Sequence, residues 1–259
     1  MRVALCQINS TPDPAANLSL IRTGVAEAAA RGATVVVFPE ATMANFAVPL
    51  APLAEPLDGP WATAVAEIAR SADVVVSAGM FTPAPDGRVA NTTLITGRDH
   101  HLGYDKIHLF DAFGFAESRT VAPGSAVVTF TVDDVTFGVA TCYDIRFPEL
   151  FRALADKGAT AVLLGASWGA GPGKREQWEL LVRARALDST SWLLTAAQAD
   201  PGPITGTAPL GIGYSTAANP RGEITAQLTA EPGLVVVEID AESVETTRAA
   251  IPVLANRRL

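Results

Sequence analysis

Cysteine is scarce in this chain of 259 residues: there are two, Cys6 and Cys142, beside only three histidines. No C-x-x-C, H-E-x-x-H or histidine-rich tract is present, so His100, His101 and His108 give no basis for a metal site, and no cofactor is expected. The two cysteines sit in unlike contexts, and two free thiols in a reducing, cytoplasmic compartment are expected. No apolar run approaches the ~18–20 residues that cross a bilayer, so no membrane is expected as a partner. The opening MRVALCQINSTPDP lacks a long apolar segment and a small-residue cleavage site, and reads as a first strand rather than a signal peptide. Basic clusters are also missing. With a net charge of −8, nucleic acid is excluded as a natural partner, and the acidic surface serves solubility. No low-complexity linker divides the chain. One domain over 1–259 is expected, with a core at about 1–240 and a C-terminal extension at 241–259.

What is present is a rhythm of buried strands and amphipathic helices. VALCQI (3–8), TVVVF (34–38), DVVVSAG (73–79) and ANTTLIT (90–96) read as strands. Asp13 and Pro14 open a helix with Leu18, Ile21, Val25 and Ala28 at helical spacing, and Gly32 closes it. Trp61, Val65 and Ile68 mark a second helix. The second half repeats the order. AVVTFTV and VTFGVATC flank Asp133-Asp134 as a hairpin, and Pro148 opens a helix. ATAVLLGAS, KREQWELLVRARALDS and SWLLTAAQ follow as strand, helix and strand. A hairpin around Asn219-Pro220-Arg221-Gly222 and the strand LVVVEID (234–240) complete the series. This alternation argues an α/β fold with helices over buried sheets. IPVLANRRL, at the end, lacks strong periodicity.

Three polar residues fall at strand ends. Cys142 follows VTFGVAT and precedes YDIRFPE, at the carboxyl edge where open sheets bind ligands. Alone it reads equally well as core filling. Glu40 emerges from VVVFPE past Pro39, and alone it reads as a surface carboxylate. Lys106, in GYDKIHLFD, reads alone as a snorkelling edge lysine. Cys6, within a strand, reads as core. A cysteine–histidine pair using His108 or His101 is a competing arrangement.

Taken together, FPE (38–40), YDKIHLFD (104–111) and TCYDIRFPELFR (141–152) resemble the three motif regions of the nitrilase superfamily, the carbon–nitrogen hydrolases. FAES (115–118), WELLVRARALD (178–188) and GYSTAANPRGE (213–223) resemble further segments of that family. The resemblance implies a four-layer αββα sandwich with two mixed β-sheets. It implies Cys142 as nucleophile, Glu40 as general base, Lys106 as cationic partner and Glu117 as a fourth polar residue beside them. A free thiol, with a pKa of about 8.5, is only about 3% thiolate at pH 7, so a base and a cation are needed. The backbone N–H of Tyr143 is the natural second donor to an oxyanion. Trp168, Phe46 and Phe113 are candidates to line the pocket. Asp144 and Arg146 are expected to brace the turn after the nucleophile as an ion pair or through backbone bonds, with substrate-carboxylate binding by Arg146 as the other reading.

The flanking text looks most like the amidase branch that includes omega-amidase and deaminated-glutathione amidase. The implied substrate is a small carboxamide, such as the omega-amide of a 2-oxo acid, cleaved with release of ammonia. N-carbamoyl amine or amino-acid hydrolysis is the alternative. Tyr-Asp after the nucleophile, where true nitrilases usually carry Trp-Glu, disfavours nitrile hydrolysis, and a catalytically silent binding paralogue would not need all three motif residues. A homodimer or higher homo-oligomer is expected by resemblance.

Overall fold

The computed structural model describes residues 1–203 and 208–258. Leu259, the last residue of the aperiodic C-terminal stretch, lies outside that range.

The first half runs β1 (Arg2–Gln7), α1 (Pro14–Ala30), β2 (Val35–Val37), α2 (Pro60–Ser71), β3 (Val75–Pro83), β4 (Val89–Gly97) and β5 (His100–Asp105). Three two-residue strands follow: β6 (Asp111–Ala112), β7 (Phe115–Ala116) and β8 (Val121–Ala122). The second half runs β9 (Thr129–Val132), β10 (Val135–Thr141), α3 (Pro148–Asp156), β11 (Ala161–Ala166), α4 (Lys174–Ser189), β12 (Trp192–Ala197), β13 (Thr216–Ala218), β14 (Ile224–Gln227), β15 (Gly233–Glu238) and α5 (Ala241–Ala250).

Local chemistry sets the helix starts. Asp13 caps α1 by accepting from Ala15 N at 2.9 Å, and proline stands in the first turn of α1, α2 and α3, where its missing N–H costs nothing. Glu55 reaches from outside α2 to accept from Trp61 N and Ala62 N at 2.6 and 2.9 Å.

Two sheets result. One has the order β15-β1-β2-β3-β4-β5, with β8 beside β4; the other has the order β14-β13-β12-β11-β10-β9. Read from β15 and from β9, the pairings run antiparallel, parallel, parallel, antiparallel, antiparallel in both. The repeated rhythm in the sequence is thus a repeated topology.

Strand alternation divides the core into three slabs. Val3, Leu5, Val35, Val37, Val139, Leu163 and Leu194 point between the sheets. Ala4, Cys6, Val36 and Phe38 point outward onto Ile21, Val25, Trp61 and Val65 of α1 and α2. Ala140, Val162, Leu164 and Leu193 point outward onto Leu150, Phe151, Leu154, Trp178 and Val182 of α3 and α4. Both faces of these strands are covered, which is why they read as unbroken apolar runs. The layers are α, β, β, α.

Two features depart from the sequence reading. GYD belongs to a strand, β5, antiparallel to β4. The segment after the last long strand forms α5 and buries Val244 and Thr247 against the body. Trp192 Nε1 donates to Asp240 O and Ser243 Oγ at its start, so polar anchoring replaces the apolar stripe that periodicity looks for.

Candidate active site

Glu40 stands three residues past the end of β2, where flanking strands press on its backbone. A Cβ on Gly79 of β3 would lie 2.5 Å from Ala41 N, and one on Gly165 of β11 would lie 2.7 Å from Glu40 N. Only glycine permits that approach. The Glu40 carboxylate is 1% exposed. Its Oε1 accepts from Lys106 Nζ at 3.0 Å and Asn91 Nδ2 at 2.8 Å, and its Oε2 accepts from Ser167 N at 2.8 Å.

Lys106 follows β5 directly and is buried. Its ammonium also donates to Glu117 Oε2 and Oε1 at 2.9 and 3.2 Å. Burial pushes its pKa down, but the Glu40 and Glu117 charges outweigh that and hold the lysine pKa well above its ordinary value. Glu117 opens a short 3-10 turn and accepts from Phe110 N at 2.6 Å. Asn91, in the middle of β4, donates to both carboxylates, with Glu117 Oε1 at 3.1 Å. Two buried carboxylates therefore share one ammonium and one amide.

Cys142 follows β10 at φ +46°, a left-handed conformation that side chains rarely adopt. This strained turn is held by Asp144. Thr141 N donates to Asp144 Oδ2 at 2.9 Å, and the Thr141 hydroxyl completes a capping box. Tyr104 OH donates to Oδ2 at 2.6 Å, while His108 N and Nδ1 lie 3.0 and 2.8 Å from Oδ1. Burial, then the Glu40 charge, pushes the Cys142 thiol well above its ordinary pKa, and Lys106 only partly opposes them. The resting nucleophile is therefore a neutral thiol, and a base must take its proton as it attacks.

Glu40, Lys106, Glu117 and Cys142 line one cavity of about 400 Å³. Tyr143, Trp168 and Phe46 line it too, with Phe110, Phe115, Leu50, Val89, Val121 and Pro209 supplying apolar wall. Phe113 does not line it. The Phe113-Gly114 turn between β6 and β7 has φ of +53° and +80°, which throws Phe113 to the tip at 75% exposure, while its neighbours Phe110 and Phe115 face inward. The expected Asp144–Arg146 ion pair does not form either. Asp144 bonds to Tyr104, His108 and Thr141, whereas Arg146 donates to Gln177 Oε1 at 2.7 Å and lies over the Trp168 ring. No histidine lines the cavity among the described residues. His108 stacks on Phe147, and His101 bonds to Thr96 and Leu57 O, which removes the cysteine–histidine arrangement. Cys6 is buried beneath α1. Among the described residues no group of three or more His, Cys, Asp or Glu is arranged to hold a metal ion.

Sequence reasoning passed over Asn91 and Ser167. A buried Asn mid-strand is itself a signal, because its amide must find partners. Ser167 acts through its backbone N–H, which leaves no trace in residue type.

Residues 2–249 match the model of the Carbon-nitrogen hydrolase family. The chain belongs to that family. The hydrolase is 52% identical to Hydrolase Rv0480c of Mycobacterium tuberculosis, over 99% of this chain and 95% of that one. It is 31% identical to human Omega-amidase NIT2, again over 99% of this chain and 95% of the relative. Among solved structures it resembles the amidase of Nesterenkonia sp. AN1, with a TM-score of 0.80 and 27% identity over 97% of this chain and 98% of that chain. In a mutant of that amidase, acrylamide has added to the active-site cysteine.

Proposed function

We propose that the hydrolase is an amidase that cleaves a small carboxamide through a thioester on Cys142 and releases ammonia. As the Cys142 sulfur bonds to the carbonyl carbon, Glu40 takes the thiol proton. The carbonyl oxygen gains the negative charge, which Lys106 Nζ and the Tyr143 N–H stabilise; one such donor is typically worth about 3–4 kcal/mol. Collapse breaks the C–N bond, and Glu40 returns the proton to the departing nitrogen. Glu40 then deprotonates water, the water oxygen bonds to the thioester carbon, the S–C bond breaks, and the sulfur recovers a proton. Glu117 acts as a positioning residue that keeps Lys106 charged and in place.

The observation that carries this reading is the buried Glu40–Lys106–Glu117 network opening onto Cys142 in a cavity with largely apolar walls. Unpaired, any of these charges would be costly there. The 31% identity to an omega-amidase supports acyl groups of the kind expected from the sequence, such as the omega-amide of a 2-oxo acid. The test is an ammonia-release screen of amides, carbamoyl compounds and nitriles on wild type and Cys142→Ala. Turnover of amides that vanishes in the variant supports the reading. Turnover confined to carbamoyl compounds or nitriles overturns it.

A further inference from the structure

Glu40 and Glu117 are held together through shared partners. Lys106 Nζ donates to Glu40 Oε1 at 3.0 Å and to Glu117 Oε1 and Oε2 at 3.2 and 2.9 Å. Asn91 Nδ2 donates to the same two Oε1 atoms, at 2.8 and 3.1 Å. The remaining donors are main-chain amides, Ser167 N to Glu40 Oε2 at 2.8 Å and Phe110 N to Glu117 Oε2 at 2.6 Å. The Cys142 thiol is the other titratable group at the pair, and it feels both charges. Among the described residues no second cation bonds to either carboxylate. Two buried negative charges thus face one ammonium.

Carboxylates in such proximity ordinarily settle their repulsion by holding one proton between them. A Glu40 that shares such a proton cannot take the one on Cys142. Asn91 bridges the two oxygens that would share it. An amide NH2 offers two donors and no acceptor, so it bonds both Oε1 atoms only while neither turns a proton toward the other.

Packing does not explain the residue. Asn91 is buried in the middle of β4, opposite Phe81 of β3, and its Oδ1 has no partner among the described residues. A leucine of similar size would fill the space without a buried, unpaired carbonyl oxygen, which is costly. The side chain forgoes that bond and directs its N–H groups to the carboxylates. The main chain sets its place: Lys106 N donates to Asn91 O at 2.9 Å, so amide and ammonium arise side by side.

We infer that Asn91 is a positioning residue that keeps the Glu40–Glu117 pair free of a shared proton at neutral pH, and so sets the acidic limit of turnover. This rests on Glu40 acting as the base in the amidase reading. Hydrogen-bond donors, rather than a proton, balance the second charge, and Glu40 stays open to the proton that Cys142 releases.

The experiment follows kcat/KM against pH by ammonia release from a neutral amide, in wild type, Asn91→Leu and Asn91→Ser. A neutral substrate does not titrate, so the acid limb belongs to the enzyme. Without the amide the pair takes up a proton at higher pH, and activity is lost earlier as the pH falls. Loss of a hydrogen bond to a charged group moves that limb up by about 1–2 pH units in Asn91→Leu. Asn91→Ser, with one donor for two carboxylates, should fall between. A purely structural role would lower the plateau and leave the limb in place. Infrared titration of the proteins without substrate gives a second readout: the carbonyl band of a protonated carboxyl should appear at higher pH in Asn91→Leu than in wild type. A displacement of less than about half a pH unit in either readout overturns the assignment. So does a wild type that already shows the band at pH 7. If wild type turns over no neutral amide, the broader screen judges the amidase reading and the infrared titration decides the role of Asn91 by itself. If Asn91→Leu does not fold, Asn91→Ser carries the same outcomes.

Discussion

The hydroxyl of Tyr104 donates to Asp144 Oδ2 at 2.6 Å, and both residues are fully buried. The same carboxylate binds His108, so both residues two positions from Lys106 are tied to the turn that presents Cys142. One carboxyl group thereby fixes the register of two chain segments that share no strand pairing.

Replacing Asp144 by Ala leaves the Tyr104 hydroxyl and the Thr141 and His108 amides without their acceptor. Each unsatisfied donor costs about 1–3 kcal/mol. Urea unfolding should show a loss of about 3–5 kcal/mol, with kcat down on the order of 100-fold from misplacement alone. Tyr104→Phe should cost only about 1–2 kcal/mol, since it removes one donor and leaves the others bonded. Equal losses in the two variants would contradict the clamp.

The Glu40 charge is the second contribution, after burial, to the raised pKa of the Cys142 thiol. Glu40→Gln should therefore lower the pH at which Cys142 reacts with iodoacetamide while abolishing amide turnover. In the wild type, labelling should still be rising at pH 9. A wild-type labelling curve that levels off below pH 8 would show that the thiolate is preformed.

Gly165 and Gly79 carry no chemistry, yet each touches the backbone that holds Glu40. Gly165→Ala puts a methyl group against Glu40 N and the Pro39 carbonyl carbon, and overpacking of this kind costs about 1–3 kcal/mol. Activity should drop by more than stability does, because the displaced atoms belong to Glu40. Full kcat in a folded Gly165→Ala would show that the close approach has no bearing on catalysis.

Cys6 is buried under α1, and burial pushes its thiol far above its ordinary value. The folded chain keeps this proton where the unfolded chain loses it. Stability is therefore intact below about pH 9 and declines above it, by up to about 1.4 kcal/mol per pH unit for one such thiol. Cys6→Ala should flatten that decline between pH 9 and 10.5, as read by urea midpoints. An unchanged slope would count against burial as the cause.

The sequence made the strand ends legible because buried strands with two covered faces announce themselves as apolar runs, and Glu40 and Cys142 terminate such runs. It left β5 hidden because His101 and Asp105 give that edge strand an exposed polar face. Trp168 and Phe46 line the cavity and Phe113 does not, because two positive φ angles carry Phe113 to the tip of its turn, a choice that residue type does not reveal. Asp144 was read as a brace, and beside the local bond from Thr141 N it also takes partners from Tyr104 and His108, 40 and 36 residues away in sequence.

The shared pairing pattern of the two sheets hides an unequal division of labour. Glu40 and Lys106 come from the first half, while Cys142 and the Ser167 amide that orients Glu40 come from the second. A chain cut between β8 and β9 would yield two fragments, neither with a complete set of reacting groups, and β15 of the second would have to add beside β1 in the sheet of the first. Activity recovered on mixing them would report sheet-to-sheet docking together with the return of β15 to its place beside β1. The enzyme would thus carry its own reporter of how its two halves recognise each other.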